Sequence, residues 1–193
     1  MKVAVVKYNA GNIRSVDYAL RRLGVEAEIT ADEKILRAAD KVIFPGVGEA
    51  ETTMNFLNAG GMGRLIKELR QPVLGICLGM QLMCAYSEEG DTEGLGIFPM
   101  RVKEFGRCSK VPHMGWNGIR RLKSGLFDGV VEGDMVYFVH SYCVPVGEYT
   151  IATCDYQMAF SAAIRKDNFW GCQFHPEKSA GVGEKMIENF LKM

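Results

Sequence analysis

The sequence predicts an α/β fold: one domain over residues 1–193, with a central, mostly parallel sheet flanked by helices and an antiparallel extension in the C-terminal half. Three observations predict it. Short Val-, Ile- and Leu-rich runs alternate with helix-period segments through residue 86, an order that gives parallel strands with helices on both faces. After Gly90, strand-like runs follow one another through Gly-rich turns, which favours antiparallel pairing. The 193 residues, 48% apolar and 24% charged, can bury a sizeable core, and no repeat, low-complexity tract or linker divides them.

Residues 2–7 form a Val-rich strand ending in the turn-like cluster Tyr8-Asn9-Ala10-Gly11-Asn12. Ile13, Val16, Ala19, Leu20 and Leu23 recur at helical spacing, and Gly24 closes that helix as a C-cap. A second strand is expected over 25–30, a short helix over 32–39 with Asp32 near its start, and a third strand over 42–44 that stops at Pro45-Gly46-Val47-Gly48. Helices over 51–57 and 63–69 flank Gly60-Gly61. Residues 72–76 read as a buried strand and 78–86 as a helix. Strands are then expected over 102–105, 118–122, 135–139, 151–155, 159–165 and 169–173, and a last helix over 182–191 with Met186, Ile187, Phe190 and Leu191 on one side.

Composition removes several function classes. Lys plus Arg and Asp plus Glu are 23 each, so the chain lacks the basic excess of a general nucleic-acid or anionic-membrane binder. The first apolar run is four residues long, too short for a signal peptide, and no later run approaches a membrane span; a cytoplasmic location is expected. Cys77, Cys84, Cys108, Cys143, Cys154 and Cys172 contain no C-x-x-C pair, and only three histidines could assist, so neither a metal nor another cofactor is expected. A reducing compartment argues against disulfides and leaves most of these thiols as small buried apolar groups.

One cysteine needs another explanation. Gly75-Ile76-Cys77-Leu78-Gly79 puts Cys77 at a strand-to-helix junction with glycines two residues to either side, the pattern of a nucleophile elbow with sulfur in place of oxygen. A tight turn lifts the side chain clear of the sheet, and the glycines admit neighbouring backbone. The helix start favours thiolate and places the Leu78 amide to bind an oxyanion. His175-Pro176-Glu177 follows the strand 169–173; in an extended segment residues i and i+2 project to one side, so an imidazole and a carboxylate would lie together. Such a carboxylate fixes the ring's tautomer while the other nitrogen serves a thiol. Pro45-Gly46-Val47-Gly48 would face Cys77 at the carboxyl end of the sheet and offer a second amide, from Val47 or Gly48. Each pattern alone is also compatible with packing: a crowded turn, a surface His beside an incidental Glu, a plain Gly-Pro turn.

Taken together, Gly75-Ile76-Cys77-Leu78-Gly79-Met80-Gln81 and His175-Pro176-Glu177 resemble the class I (triad) glutamine amidotransferases, over nearly the whole chain. Pro45-Gly46-Val47-Gly48, Pro112-His113-Met114-Gly115-Trp116-Asn117 and His140-Ser141-Tyr142 are similar to the glutaminase subunits of imidazole glycerol phosphate synthases. The resemblance implies a flavodoxin-like domain in which Cys77 attacks the side-chain amide of glutamine, His175 acts as acid and base, and Glu177 orients His175. It implies an oxyanion hole from Val47 and Leu78 and a glutamine pocket from Gly48, Gln81, Glu89, Ser141 and Tyr142. Gln81 lies one helical turn beyond Cys77 on the same face. Glu89 suits the substrate's ammonium, although the Ser87-Glu88-Glu89 cluster also fits a solvated helix end.

Ammonia released into water would be protonated and lost as a nucleophile. A partner is therefore expected over the site, and the resemblance implies a (β/α)8-barrel cyclase in a 1:1 heterodimer that makes imidazole glycerol phosphate and AICAR for histidine synthesis. Asn12, Trp116 and Lys178 would face it. The rival expectations are a related glutaminase feeding a different amidating enzyme, a thiol hydrolase or peptidase of similar fold, and a non-catalytic binding protein. The peptidase gives no role to Gln81 or Glu89, and the binding protein makes the Cys-His-Glu set a coincidence.

Overall fold

In the computed structural model the residues described are 1–8, 12–106 and 110–193; the expected turn at Asn9-Ala10-Gly11 and the packing role of Cys108 lie outside them. The chain runs β1 (Val3–Val6), α1 (Ile13–Arg22), β2 (Ala27–Thr30), α2 (Glu33–Ala38), β3 (Lys41–Phe44), α3 (Ala50–Ala59), α4 (Met62–Glu68), β4 (Val73–Ile76) and α5 (Leu78–Leu82). There follow β5 (Cys84–Ser87), β6 (Thr92–Glu93), β7 (Phe98–Glu104), β8 (His113–Gly118), β9 (Met135–His140), β10 (Tyr142–Cys143), β11 (Thr150–Tyr156), β12 (Met158–Lys166), β13 (Phe169–Cys172) and α6 (Ala180–Lys192).

A seven-stranded sheet in the order β11-β12-β13-β4-β3-β1-β2 organises the fold. From β2 to β13 every neighbour is parallel, and β12 and β11 extend the sheet antiparallel. This is the expected class, although β13, from the C-terminal half, joins the parallel part. Alternate residues of each central strand feed the two faces: Val3, Val5, Ile43, Leu74 and Ile76 belong to one apolar core, Ala4, Val6, Val42, Phe44 and Val73 to the other. Both faces are covered, which is why these strands read as unbroken apolar runs.

Local signals are met where expected. Gly24, at φ +75, donates to the Arg21 carbonyl and Val25 to the Leu20 carbonyl, a Schellman close that only a residue at ease with positive φ makes cheaply. Asp32 caps α2 by accepting from the amides of Lys34 and Ile35 at 2.7 and 3.4 Å.

Two expectations are corrected. The helix expected over 78–86 stops at Leu82, and 84–87 form β5, parallel to β7 and antiparallel to β6. The carbonyls of Leu82, Cys84 and Ala85 accept from Leu95, Gly96 and Gly94 at 2.7, 3.0 and 3.0 Å instead of from a further helical turn. A Cβ at Gly94 would sit 2.2 Å from the Cys84 oxygen, so the returning loop presses directly on this backbone. The strand expected over 118–122 lies earlier, at β8, which pairs with β9; beyond it only Arg120 bridges to Thr153. A smaller sheet, β10-β7-β5-β6, and the β8–β9 ribbon complete the described structure.

The topology aligns three strand ends. Phe44 pairs with Gly75 and Ile76 with Cys172, so the chain leaves β3, β4 and β13 side by side at their carboxyl ends. Pro45-Gly46-Val47-Gly48, Cys77 and Gln173-Phe174-His175 emerge there together.

Candidate active site

Cys77 sits between β4 and α5 at φ 53 and ψ −111, a conformation that L side chains rarely adopt. Its amide donates to the Cys172 carbonyl at 2.7 Å, pinning the turn to β13. The flanking glycines have the expected role. A Cβ on Gly75 would come 2.4 Å from the Met83 methyl and 2.9 Å from the Met80 nitrogen; one on Gly79 would come 2.1 Å from the Phe44 oxygen. Gly46 meets Gly79 in return, its Cβ position lying 2.3 Å from the Gly79 nitrogen. The loop after β3 is thus stacked backbone to backbone on the first turn of α5.

His175 is fully buried. Its amide donates to the Tyr137 carbonyl at 2.9 Å, and its Nδ1 lies 2.8 Å from Glu177 Oε1. The closeness of the two side chains arises differently from the extended segment that the spacing implies. His175 itself is extended (φ −100, ψ 95), but residues Pro176–Lys178 form a 3-10 turn that brings Glu177 round to the ring. With Nδ1–H directed at the carboxylate, Nε2 is the nitrogen left for chemistry; it is buried and lacks a hydrogen-bond partner among the described residues. Burial pushes the imidazole pKa down, yet the thiolate form of Cys77 and the Glu177 carboxylate outweigh burial and raise it to about 9.

Glu177 Oε1 also accepts from Asn12 Nδ2 at 3.2 Å. Asn12, expected to face a partner, is 5% exposed, and its side chain supports Glu177. The thiol itself donates to the Val139 carbonyl at 3.9 Å and accepts from Gln173 Nε2 at 3.7 Å.

A cavity of about 430 Å³ opens at the sulfur. Its wall contains Cys77 and His175 together with Val47, Gly48, Leu78, Gln81, Glu89, Ser141 and Tyr142, the full set expected for oxyanion and substrate contacts. Gly48 stands at φ +113, out of reach for most side chains. Gln81 Nε2 donates to the Tyr142 carbonyl and to Gln173 Oε1, each at 2.9 Å. Glu89 accepts from the Ala50 amide at 3.0 Å, at the start of α3. Burial, offset by that amide and reinforced by Glu49, raises its carboxyl pKa.

Pro112, Val139 and His140 also line the cavity. His140 Nδ1 donates to the Tyr142 carbonyl at 2.7 Å, which leaves its Nε2 to accept from His113 Nδ1 at 3.0 Å. Burial keeps both rings neutral by pushing their pKa values down. Tyr8, at the end of β1, hydrogen-bonds through its hydroxyl to the Pro45 carbonyl; burial, then the charge of Cys77, raises its pKa. Sequence reasoning missed Tyr8, Val139 and Gln173. Gln173, just past the end of β13 and two positions before His175, is fully buried, which its place in the sequence does not reveal.

Trp116 is half exposed and pairs with Tyr137 across the β8–β9 ribbon. Met114, Trp116 and Met135 share its outer face and are 62%, 50% and 47% exposed, an apolar surface that continues to Val139 at the cavity. Lys178 is exposed on the turn beside it. The other described cysteines, Cys84, Cys143, Cys154 and Cys172, are buried free thiols whose pKa values burial pushes up. Among the described residues no group of three His, Cys, Asp or Glu side chains could hold a metal, and no helix is long and apolar enough to cross a membrane.

Comparison with known proteins identifies the family. The family model described as glutamine amidotransferase class-I matches residues 4–193. The chain is 67% identical over 196 residues to the imidazole glycerol phosphate synthase subunit HisH of Bacteroides fragilis strain YCH46, covering 100% of both chains. It is 46% identical over 209 residues to the HisH subunit of Colwellia psychrerythraea, covering 100% of this chain and 93% of that one. The crystal structure of a glutamine amidotransferase from Thermotoga maritima superposes with a TM-score of 0.64 at 17% identity, over 100% of this chain and 83% of the other, a likeness of fold.

Proposed function

The chain belongs to the class I glutamine amidotransferases and, within them, to the HisH subunits of imidazole glycerol phosphate synthase, and on that premise we propose that Cys77, His175 and Glu177 are its catalytic triad. The reading is carried by one observation: Cys77 and His175, the latter bonded through Nδ1 to Glu177, line one cavity of about 430 Å³ where β4 and β13 end side by side.

The thiolate of Cys77 adds to the side-chain amide carbon of glutamine, and the amides of Leu78 and Val47 hold the oxyanion. His175, protonated at neutral pH by its raised pKa, gives its Nε2 proton to the departing nitrogen, so ammonia leaves and a thioester remains. The neutral ring then takes a proton from water; hydroxide attacks the thioester, glutamate leaves, and the thiol is restored. Glu177 holds Nδ1–H throughout, which keeps Nε2 directed at the sulfur. The Glu89 carboxylate receives the α-ammonium, and Gly48, Gln81 and the Ser141-Tyr142 segment shape the rest of the pocket.

The ammonia passes to a synthase partner, a (β/α)8-barrel cyclase bound one to one in the cytoplasm. The apolar outer face of the β8–β9 ribbon beside the cavity mouth supports docking there, with Trp116 as anchor and Lys178 at the rim. The test is to mix the purified chain with glutamine and the candidate cyclase, with and without its nucleotide substrate, and to measure glutamate. Glutamate should form with the wild-type chain and not with Cys77→Ala, while Cys77→Ala still binds the partner. Turnover by Cys77→Ala would end the nucleophile assignment.

A further inference from the structure

Gln173 is fully buried, lies on none of the cavity's walls, and yet its side-chain amide bridges the nucleophile to the substrate pocket. Hydrogen-bond chemistry fixes which end of that amide faces which partner. The Tyr142 carbonyl can only accept, and Gln81 offers it Nε2 at 2.9 Å, which sets the orientation of the Gln81 amide. The same Nε2 faces Gln173 at 2.9 Å, so the atom it meets there must be an acceptor, Oε1. Gln173 Nε2 is therefore the end that faces Cys77 Sγ, at 3.7 Å. A flipped Gln173 would set two NH2 groups against each other and leave the sulfur beside a carbonyl oxygen.

We propose that Gln173 is a thiolate-stabilising residue, oriented by Tyr142 through Gln81, which donates to the Cys77 sulfur and favours its charged form. This role rests on Cys77 as the nucleophile and deepens that reading. Of the other groups around the sulfur, the protonated His175 ring favours the thiolate, Tyr8 and Cys172 stay neutral, and the Val139 carbonyl can only accept and so favours the protonated thiol. Gln173 opposes that preference with a fixed dipole on the buried side of the sulfur, where it is worth more than in water. The chain Tyr142–Gln81–Gln173–Cys77 also gives the pocket segment that meets glutamine a route to the sulfur: a shift of the Tyr142 carbonyl releases the Gln81 amide and, through it, Gln173.

The readout is the pH dependence of Cys77 alkylation by iodoacetamide, followed by mass spectrometry at that residue, in the full chain without glutamine. Gln173→Met keeps the length and apolar volume of the side chain and removes the donor. The alkylation midpoint should move up by about one pH unit, as expected for losing a hydrogen bond to a charged group. A correctly folded Gln173→Met with an unmoved midpoint overturns the proposal. Should Gln173→Met fail to fold, Gln81→Met tests the same chain: it leaves the donor and removes what orients it, and the midpoint should rise by a smaller amount. An unmoved midpoint there overturns the proposal as well. Because no glutamine is turned over, the two failures are distinct: turnover by Cys77→Ala would end the nucleophile assignment, whereas an unmoved midpoint in Gln173→Met beside normal Cys77-dependent turnover would end only the role of Gln173.

Discussion

The main-chain N–H of His175 donates to the carbonyl of Tyr137 at 2.9 Å, so the imidazole is tied through its backbone to the strand that carries the outward apolar face. Tyr137 pairs with Trp116 across the ribbon and also donates its amide to Ser179 Oγ at 3.0 Å, where the turn bearing Glu177 ends. A partner seated on Trp116 would press on a strand bonded directly to the base.

Trp116→Ala tests that seat. Removing a half-exposed indole that serves as an anchor should weaken the complex by about 2 kcal/mol, roughly thirtyfold in dissociation constant. Titration calorimetry against the cyclase measures it, and an unchanged constant would move the docking surface elsewhere.

His175→Asn should halt both halves of the reaction, because the same ring serves the departing ammonia and the incoming water. Rapid-quench measurement should detect no burst of ammonia. A normal burst followed by slow turnover would restrict the ring to the second step.

Glu177→Gln separates charge from geometry, since the amide oxygen can still accept Nδ1–H. The folded pKa of His175, about 9, lies above the ordinary 6.5, so the site's contribution to stability is complete below 6.5 and is lost as pH rises through about 9. In Glu177→Gln the His175 pKa should fall and that loss should come at lower pH. An NMR titration of the His175 ring, with urea unfolding across the same window, reads both; identical curves would show that the carboxylate's charge is immaterial.

Gly79→Ala would put a Cβ 2.1 Å from the Phe44 oxygen, against backbone that has no room to yield. The loop after β3 must lift from α5, so stability should fall by about 1–3 kcal/mol and glutaminase activity should fall with it. Denaturant unfolding and glutamate release measure the two; full activity at unchanged stability would mean the stacking is dispensable.

Gly24, Asp32 and the glycines around Cys77 were legible because each acts on backbone within a few residues of itself, where spacing is a direct record of geometry. The His175–Glu177 contact was legible in outcome but not in cause: a 3-10 turn and an extended segment can each place residues i and i+2 together. The end of α5 was not legible, since Met83 and Cys84 continue an apolar pattern and the donors that claim the carbonyls of residues 82–85 come from residues 94–96 and from Phe98. The contacts of Asn12 and Gln173 were not legible for a similar reason. Their partners, Glu177 and Gln81, lie 165 and 92 positions away in the chain, and nothing local marks either pairing.

The alignment of Ile76 with Cys172 carries a consequence for where the chemistry is encoded. If β13 slid by one position along β4, the imidazole would swing to the opposite side of the sheet while every residue of the triad stayed in place in the chain. Gly171 resists that slide: it lies under Met80, whose Cγ would stand 2.7 Å from any Cβ added there. An inert-looking glycine in the middle of a strand therefore guards the reaction as much as the groups that perform it, and damage to the site can arise without touching it.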